Sequence, residues 1–138
     1  MIESYWWTIT GLWLILLTVF IQNFVAAAAH GKAKNAVPGK LDDSLGHESF
    51  IFRSHRTFHN SLENLSLFVL PALLSMFVGV DAALLGGLAW TYALARIIHM
   101  ALYYAIATNK NPSPRSYFFL AGWLATAALY VILAMQLF

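Results

Sequence analysis

Arg53, Arg56, Asn60 and Glu63 follow one another at intervals of three, four and three residues, and Arg96, His99 and Tyr103 at intervals of three and four. On an α-helix each set falls on one face. Tyr92 extends the second set by one turn. Arginines grip carboxylates through paired N–H groups, a glutamate takes an ammonium, and an asparagine both donates and accepts. The combined inventory suits a zwitterionic ligand with more negative than positive groups. Glutathione, with its carboxylates, ammonium, peptide groups and thiol, fits it more completely than other amphiphilic anions do.

These polar residues sit in an apolar chain. Of its 138 residues, 60% are hydrophobic and 10% are charged, against roughly 25% charged in a soluble domain. So few charges cannot cover a water-facing surface, so lipid must solvate most of the molecule. A spanning helix needs about 20 apolar residues. The expected fold is an all-α membrane protein, a four-transmembrane-helix bundle in a single domain 1–138, with spans near 5–29, 58–80, 82–108 and 117–137. The first span is not read as a signal peptide, because its leading residues carry Glu3 and no Lys or Arg, and its apolar run exceeds the usual ~7–15 residues. Tyr5, Trp6 and Trp7 are expected to anchor it at the interface.

Pro71 is expected to kink the second helix, and Gly79–Asp81 forms a very short connection to the third. A long polar loop separates the first two spans. Lys32, Lys34, Lys40, Arg53 and Arg56 follow the first span, and Lys110 and Arg115 follow the third. By the positive-inside rule, loops one and three face the cytoplasm and both termini lie on the far side.

The short hairpin fixes relative depth. Glu63 precedes Val80 by 17 residues, about 25 Å of helix, and Arg96 follows Asp81 by 15, about 22 Å. An arginine at that depth costs about 2.5–3.5 kcal/mol even on the lenient insertion scale, so it needs a partner or a wet cavity. Glu63 is the expected partner within the chain. One ion pair would suffice to fix helix register; the two additional arginines, the asparagine, the histidine and the tyrosine favour a site.

The run Arg53-Ser-His-Arg56-Thr-Phe-His-Asn60-Ser-Leu-Glu63-Asn64 resembles the second-helix motif of the MAPEG family, the membrane-associated proteins in eicosanoid and glutathione metabolism. Arg96-Ile-Ile-His99-Met-Ala-Leu-Tyr103 resembles the family's third-helix motif, and the likeness extends over essentially the whole chain. The resemblance implies a homotrimer that binds glutathione as co-substrate between subunits. Arg56, Asn60 and Glu63 would bind it, Arg53 would assist, and Arg96, His99 and Tyr103 would complete the pocket, some from an adjacent subunit. Glu63 and Arg96 could then pair across chains.

The resemblance also implies a cation after the third helix that stabilises the glutathione thiolate. Arg115 is the first choice by its Pro-Ser-Pro-Arg turn, and Lys110 is the alternative by ungapped spacing. The chain departs from the microsomal transferases in carrying Phe58 where a histidine commonly precedes the motif asparagine by two; His59 and His55 stand nearby. Lys32 or Lys34 would match a basic residue that contributes at the end of the first helix in relatives.

The implied chemistry is attack of the thiolate on a lipophilic electrophile, or reduction of a lipid hydroperoxide. A free thiol has a pKa of about 8.5, so a nearby cation is needed to populate the nucleophile at neutral pH. The chain has no cysteine, which excludes disulfides and thiolate metal sites. His55 and His59 have an i, i+4 spacing that can hold zinc, but no acidic residue lies between them, and no metal is expected. His30 and His47 read as ordinary loop residues, and Asp42 and Asp43 as a solvated pair. No nucleic-acid motif is present. The alternative reading is a non-catalytic member whose pocket binds a lipid or an accessory partner. The compact chain favours a bacterial inner membrane.

Overall fold

A computed structural model describes residues 2–138. Four helices follow in order: α1 (Trp6–Gly31), α2 (Phe50–Phe77), α3 (Ala82–Ala105) and α4 (Pro114–Leu137). All four are long and apolar enough to cross a membrane. At 1.5 Å per residue the 26 residues of α1 extend about 39 Å, more than the ~30 Å hydrocarbon thickness, so its ends reach into the headgroup layers.

The helices are not coextensive with the membrane spans expected within them. Helix α2, expected to begin in water near Glu48 before it enters the membrane, starts at Phe50, ahead of the span from 58. Helix α3 stops at Ala105 rather than 108. Helix α4 starts at Pro114 rather than 117, where Ser113 and Ser116 form a reciprocal capping box and proline takes the first turn. Helix α2 runs through Pro71 without interruption, and the Ser75 hydroxyl donates to the Pro71 carbonyl at 2.8 Å.

The α2–α3 hairpin is closed by chemistry written into four residues. Gly79 has φ +78°, a left-handed conformation that costs glycine little. The Val80 N–H reaches the Ser75 carbonyl at 3.0 Å and the Gly79 N–H the Met76 carbonyl at 3.4 Å, the paired bonds of a Schellman ending. Asp81 then caps α3 by accepting from the Leu84 N–H at 2.8 Å. Tyr5 closes the same end from α1: its hydroxyl donates to the Val80 carbonyl at 2.6 Å. Tyr5 is therefore buried, and only Trp6 and Trp7 of the expected aromatic anchor face outward.

Helices α2 and α3 each pack against all three others, whereas α1 and α4 do not meet. Close approach of α3 to α1 depends on two glycines. A Cβ at Gly11 would lie 3.0 Å from the Ala89 Cβ, and one at Gly86 would lie 3.2 Å from the Trp7 Cβ. Trp90 completes this contact with an indole N–H donated to the Trp7 carbonyl at 2.9 Å. The apolar core combines Leu12 and Ile15 of α1, Phe68 and Ala72 of α2, Leu85, Ala89 and Tyr92 of α3, and Ala125 and Leu129 of α4. Phe68 and Tyr92 stack with centroids 4.1 Å apart.

Candidate functional site

Above that apolar floor, toward the long loop, the bundle interior turns polar. Gln22, Ser54, Thr57, Ser61, Arg96 and His99 are all buried. Two of the small hydroxyls are satisfied by their own helix: Ser54 donates to the Ile51 carbonyl and Thr57 to the Arg53 carbonyl. Arg96 is not. Its guanidinium donates to Asn60 Oδ1 at 2.6 Å and Ser61 Oγ at 3.0 Å, and its Nε has no partner.

The depth expected from the hairpin holds, since Arg96 meets α2 within a turn of Glu63 and Tyr92 donates to the Asn64 carbonyl at 3.2 Å. The expected Arg96–Glu63 pair within the chain does not form. Arg96 faces α2 between Asn60 and Ser61, and at 3.6 residues per turn Glu63 points roughly 110° away from that direction. Glu63 is exposed on the outside of α2. A void beside Arg96 is about 10 Å³, lined by Ile15, Thr18, Val19, Ser61, Leu65, Tyr92, Ala93 and Arg96. That is the scale of a single water, so this void does not hold a peptide-sized ligand.

The polar stripe of α2 thus divides. Asn60 turns inward to Arg96. Arg56, half-buried, and Glu63, exposed, lie on the outward side, and neither makes a side-chain hydrogen bond among the described residues. Arg53 is drawn away from both. It donates to the carbonyls of His47 at 2.7 Å, Glu48 at 3.0 Å and Tyr104 at 3.4 Å, and so staples the loop to α2 and α3.

The second stripe leads to the end of α3. His99 packs edge-on to Tyr103 with centroids 5.6 Å apart, and its Nδ1 is buried without a partner. Arg115 lies over the Tyr103 ring, its Cζ 4.0 Å from the centroid. One Nη donates to the Thr108 carbonyl at 3.2 Å; the other is buried and unpartnered. Arg115 occupies the first turn of α4, where the helix dipole disfavours a cation by roughly 0.3–1 kcal/mol. Its position therefore opposes helix stability. Lys110 is exposed, and its side chain makes no hydrogen bond among the described residues.

One residue read as an ordinary loop position belongs to this corner. His47 bonds Tyr103 Oη through Nε2 at 3.0 Å and Asn109 Oδ1 through Nδ1 at 2.8 Å. Nothing in local spacing links residues 56 and 62 positions apart; the tether exists only because the loop folds back over α3. The other loop carboxylates serve the loop itself. Asp42 accepts from the Ser44 N–H and hydroxyl, which hold its pKa below the usual carboxylate range. Glu48 lies lower too, through backbone N–H groups including that of Gly46.

The larger cavities lie elsewhere. One of about 530 Å³ is enclosed by the loop, with Lys34, Lys40, Asp42 and Asp43 on its rim. Another of about 360 Å³ lies between α1 and α2, lined in part by His30, Lys40, His55 and His59. Lys32 ends α1 and is exposed.

Four apolar helices around buried and half-buried cations define a multi-pass integral membrane protein with a polar site at one end of its bundle. The family model of the MAPEG family matches residues 4–135, and the chain belongs to that family. No curated protein and no solved structure gives a match.

Proposed function

We propose that this chain is an integral membrane glutathione transferase or peroxidase that stabilises the glutathione thiolate for attack on a lipophilic electrophile or lipid hydroperoxide. The observation that carries this reading is Arg115. Its guanidinium is held over Tyr103 with one Nη unpartnered, at a helix position that the dipole disfavours. A fixed cation favours the thiolate over the thiol, and the thiolate is the nucleophile. Arg115 is accordingly preferred to Lys110, whose exposed side chain makes no hydrogen bond among the described residues.

Glutathione binds, in this reading, on the outside of the single bundle. The interior void is too small, while Arg56 and Glu63 lie on the outer side of α2. Glu63 lies about 20 Å from either end of that helix, and a bare carboxylate there is unfavourable in lipid. The leucines exposed beside it, Leu62, Leu67, Leu70 and Leu74, supply a surface for a second copy. A homotrimer would cover this face, with Arg96, His99 and Tyr103, buried within each subunit, supporting the site from behind through Asn60 and Arg115. In it, Arg56 takes a glutathione carboxylate, Glu63 the ammonium, and Asn60, already bonded to Arg96, orients the peptide. The electrophile arrives from the bilayer.

Calorimetric titration of the detergent-solubilised protein with glutathione at two pH values tests the reading. Saturable binding with proton release is expected, since thiolate formation frees a proton. Absence of binding overturns it. A non-catalytic member that binds a lipid or accessory partner is the alternative, and the cavity between α1 and α2 favours it. That reading makes no use of Arg115, so conjugation of a standard electrophile by the wild type and its loss in Arg115→Ala separate the two.

A further inference from the structure

The corner that carries Arg115 contains a relay that begins in the long loop. Asn109 Oδ1 is an acceptor, so His47 Nδ1 carries the hydrogen that it receives at 2.8 Å. In the neutral imidazole Nε2 is then an acceptor, and the Tyr103 hydroxyl donates to it at 3.0 Å. A phenol that donates its hydrogen bond gains electron density in the ring. The Arg115 guanidinium sits 4.0 Å above that ring, and the attraction between a cation and a ring face grows with the negative charge on the face. The His47 ring is itself held in place, edge-on to Phe52 with centroids 4.9 Å apart, and Arg53 pins the His47 carbonyl at 2.7 Å.

We propose that His47 is a positioning residue for this corner: by accepting the Tyr103 hydroxyl it orients the phenol and, through the ring, holds the Arg115 guanidinium where a thiolate would meet it. The catalytic part of the inference rests on Arg115 acting as proposed above; the positional part does not. The loop thereby belongs to the site although it contributes no group that touches the thiol. Neither the helix stripes nor the family motifs include His47.

The experiment compares wild type with His47→Ala, His47→Gln and Tyr103→Phe, all in detergent, with helicity and size-exclusion profile checked. The first readout needs no ligand. The rate at which phenylglyoxal modifies Arg115, followed by peptide mass spectrometry, reports how firmly the guanidinium is held. It should rise several-fold in His47→Ala and Tyr103→Phe and return toward wild type in His47→Gln, whose amide can accept from Tyr103 and donate to Asn109. The second readout is kinetic. His47→Ala should lower kcat about tenfold, equivalent to one pKa unit at the thiol, and change KM for glutathione by less than about twofold. A double variant, His47→Ala with Tyr103→Phe, should show no further loss, because both substitutions break one linkage. Thiolate absorbance of bound glutathione should fall in parallel with kcat.

An unchanged Arg115 modification rate in a folded His47→Ala protein overturns the inference, whatever glutathione does. Failure of glutathione to bind any variant overturns the transferase reading instead, and the modification rates then decide the positional relay alone. A His47→Gln protein as defective as His47→Ala would also overturn it, since only the hydrogen-bonding pattern is restored in that variant.

Discussion

The two ends of the bundle are closed in different ways. At the hairpin end, Gly79, Val80 and Asp81 join α2 to α3 through local backbone bonds, and Tyr5 adds one hydroxyl from α1. Gly11 and Gly86 then let α1 settle against α3. At the loop end, the contacts are polar and many are incompletely satisfied, whereas at the hairpin end the Thr8 hydroxyl is the one buried group without a partner among the described residues. His47 and Arg53 tether a loop to α3 across more than 50 residues, and Arg96, His99 and Arg115 each keep a buried nitrogen without a partner. Satisfied, close-packed groups stabilise a fold, whereas unsatisfied buried donors weaken it. Under the proposed function, this difference leaves stability to the hairpin end and chemistry to the loop end.

Substitutions at the two ends should therefore separate activity from stability. The largest effect is expected at Arg115: Arg115→Ala should lower conjugation of a standard electrophile by about a hundredfold or more, the usual range for losing one preorganised charge-stabilising donor. Its melting temperature in detergent should stay near that of wild type, because Arg115 opposes the α4 dipole. A variant that keeps full activity would remove the proposed division between the ends.

Next in size is Gly11→Val, which forces a branched side chain into the 3.0 Å gap to Ala89. Overpacking of this kind destabilises by about 1–3 kcal/mol. Thermal unfolding should show the loss, and activity per folded molecule should be unaffected. The smallest effects belong to the turn. Gly79→Ala places a Cβ at φ +78° and should destabilise by about 1 kcal/mol; Asp81→Ala removes the α3 cap and should also lose about 1 kcal/mol. Both are measurable as shifts in unfolding midpoint with glutathione affinity unchanged. A change in glutathione affinity in either turn variant would mean that the ends are coupled through α2 and α3.

Much of this arrangement was legible beforehand. The Asp81 turn and the interval from it to Arg96 gave the correct register of α3 on α2, because helical rise is constant and the hairpin too short to allow slippage. The partner of Arg96 was misassigned for a different reason. Depth follows from counting residues, but which side of Asn60 the guanidinium approaches depends on how α3 rotates against α2. That rotation is decided by packing at Phe68, Tyr92 and Gly122, which has no one-dimensional pattern.

The facing stripes show the same boundary. Their residue types, helical spacing and depth were determined by the sequence, as were the four apolar spans, because hydropathy and helical periodicity are local properties. Only the tertiary structure decided that the α2 stripe divides, with Asn60 turned inward and Arg56 and Glu63 outward. It likewise decided that Arg115 folds onto Tyr103 while Lys110 does not, and that His47 joins them. Each of these depends on the distance between segments remote in the chain, and a long loop leaves that distance undetermined until the helices have packed.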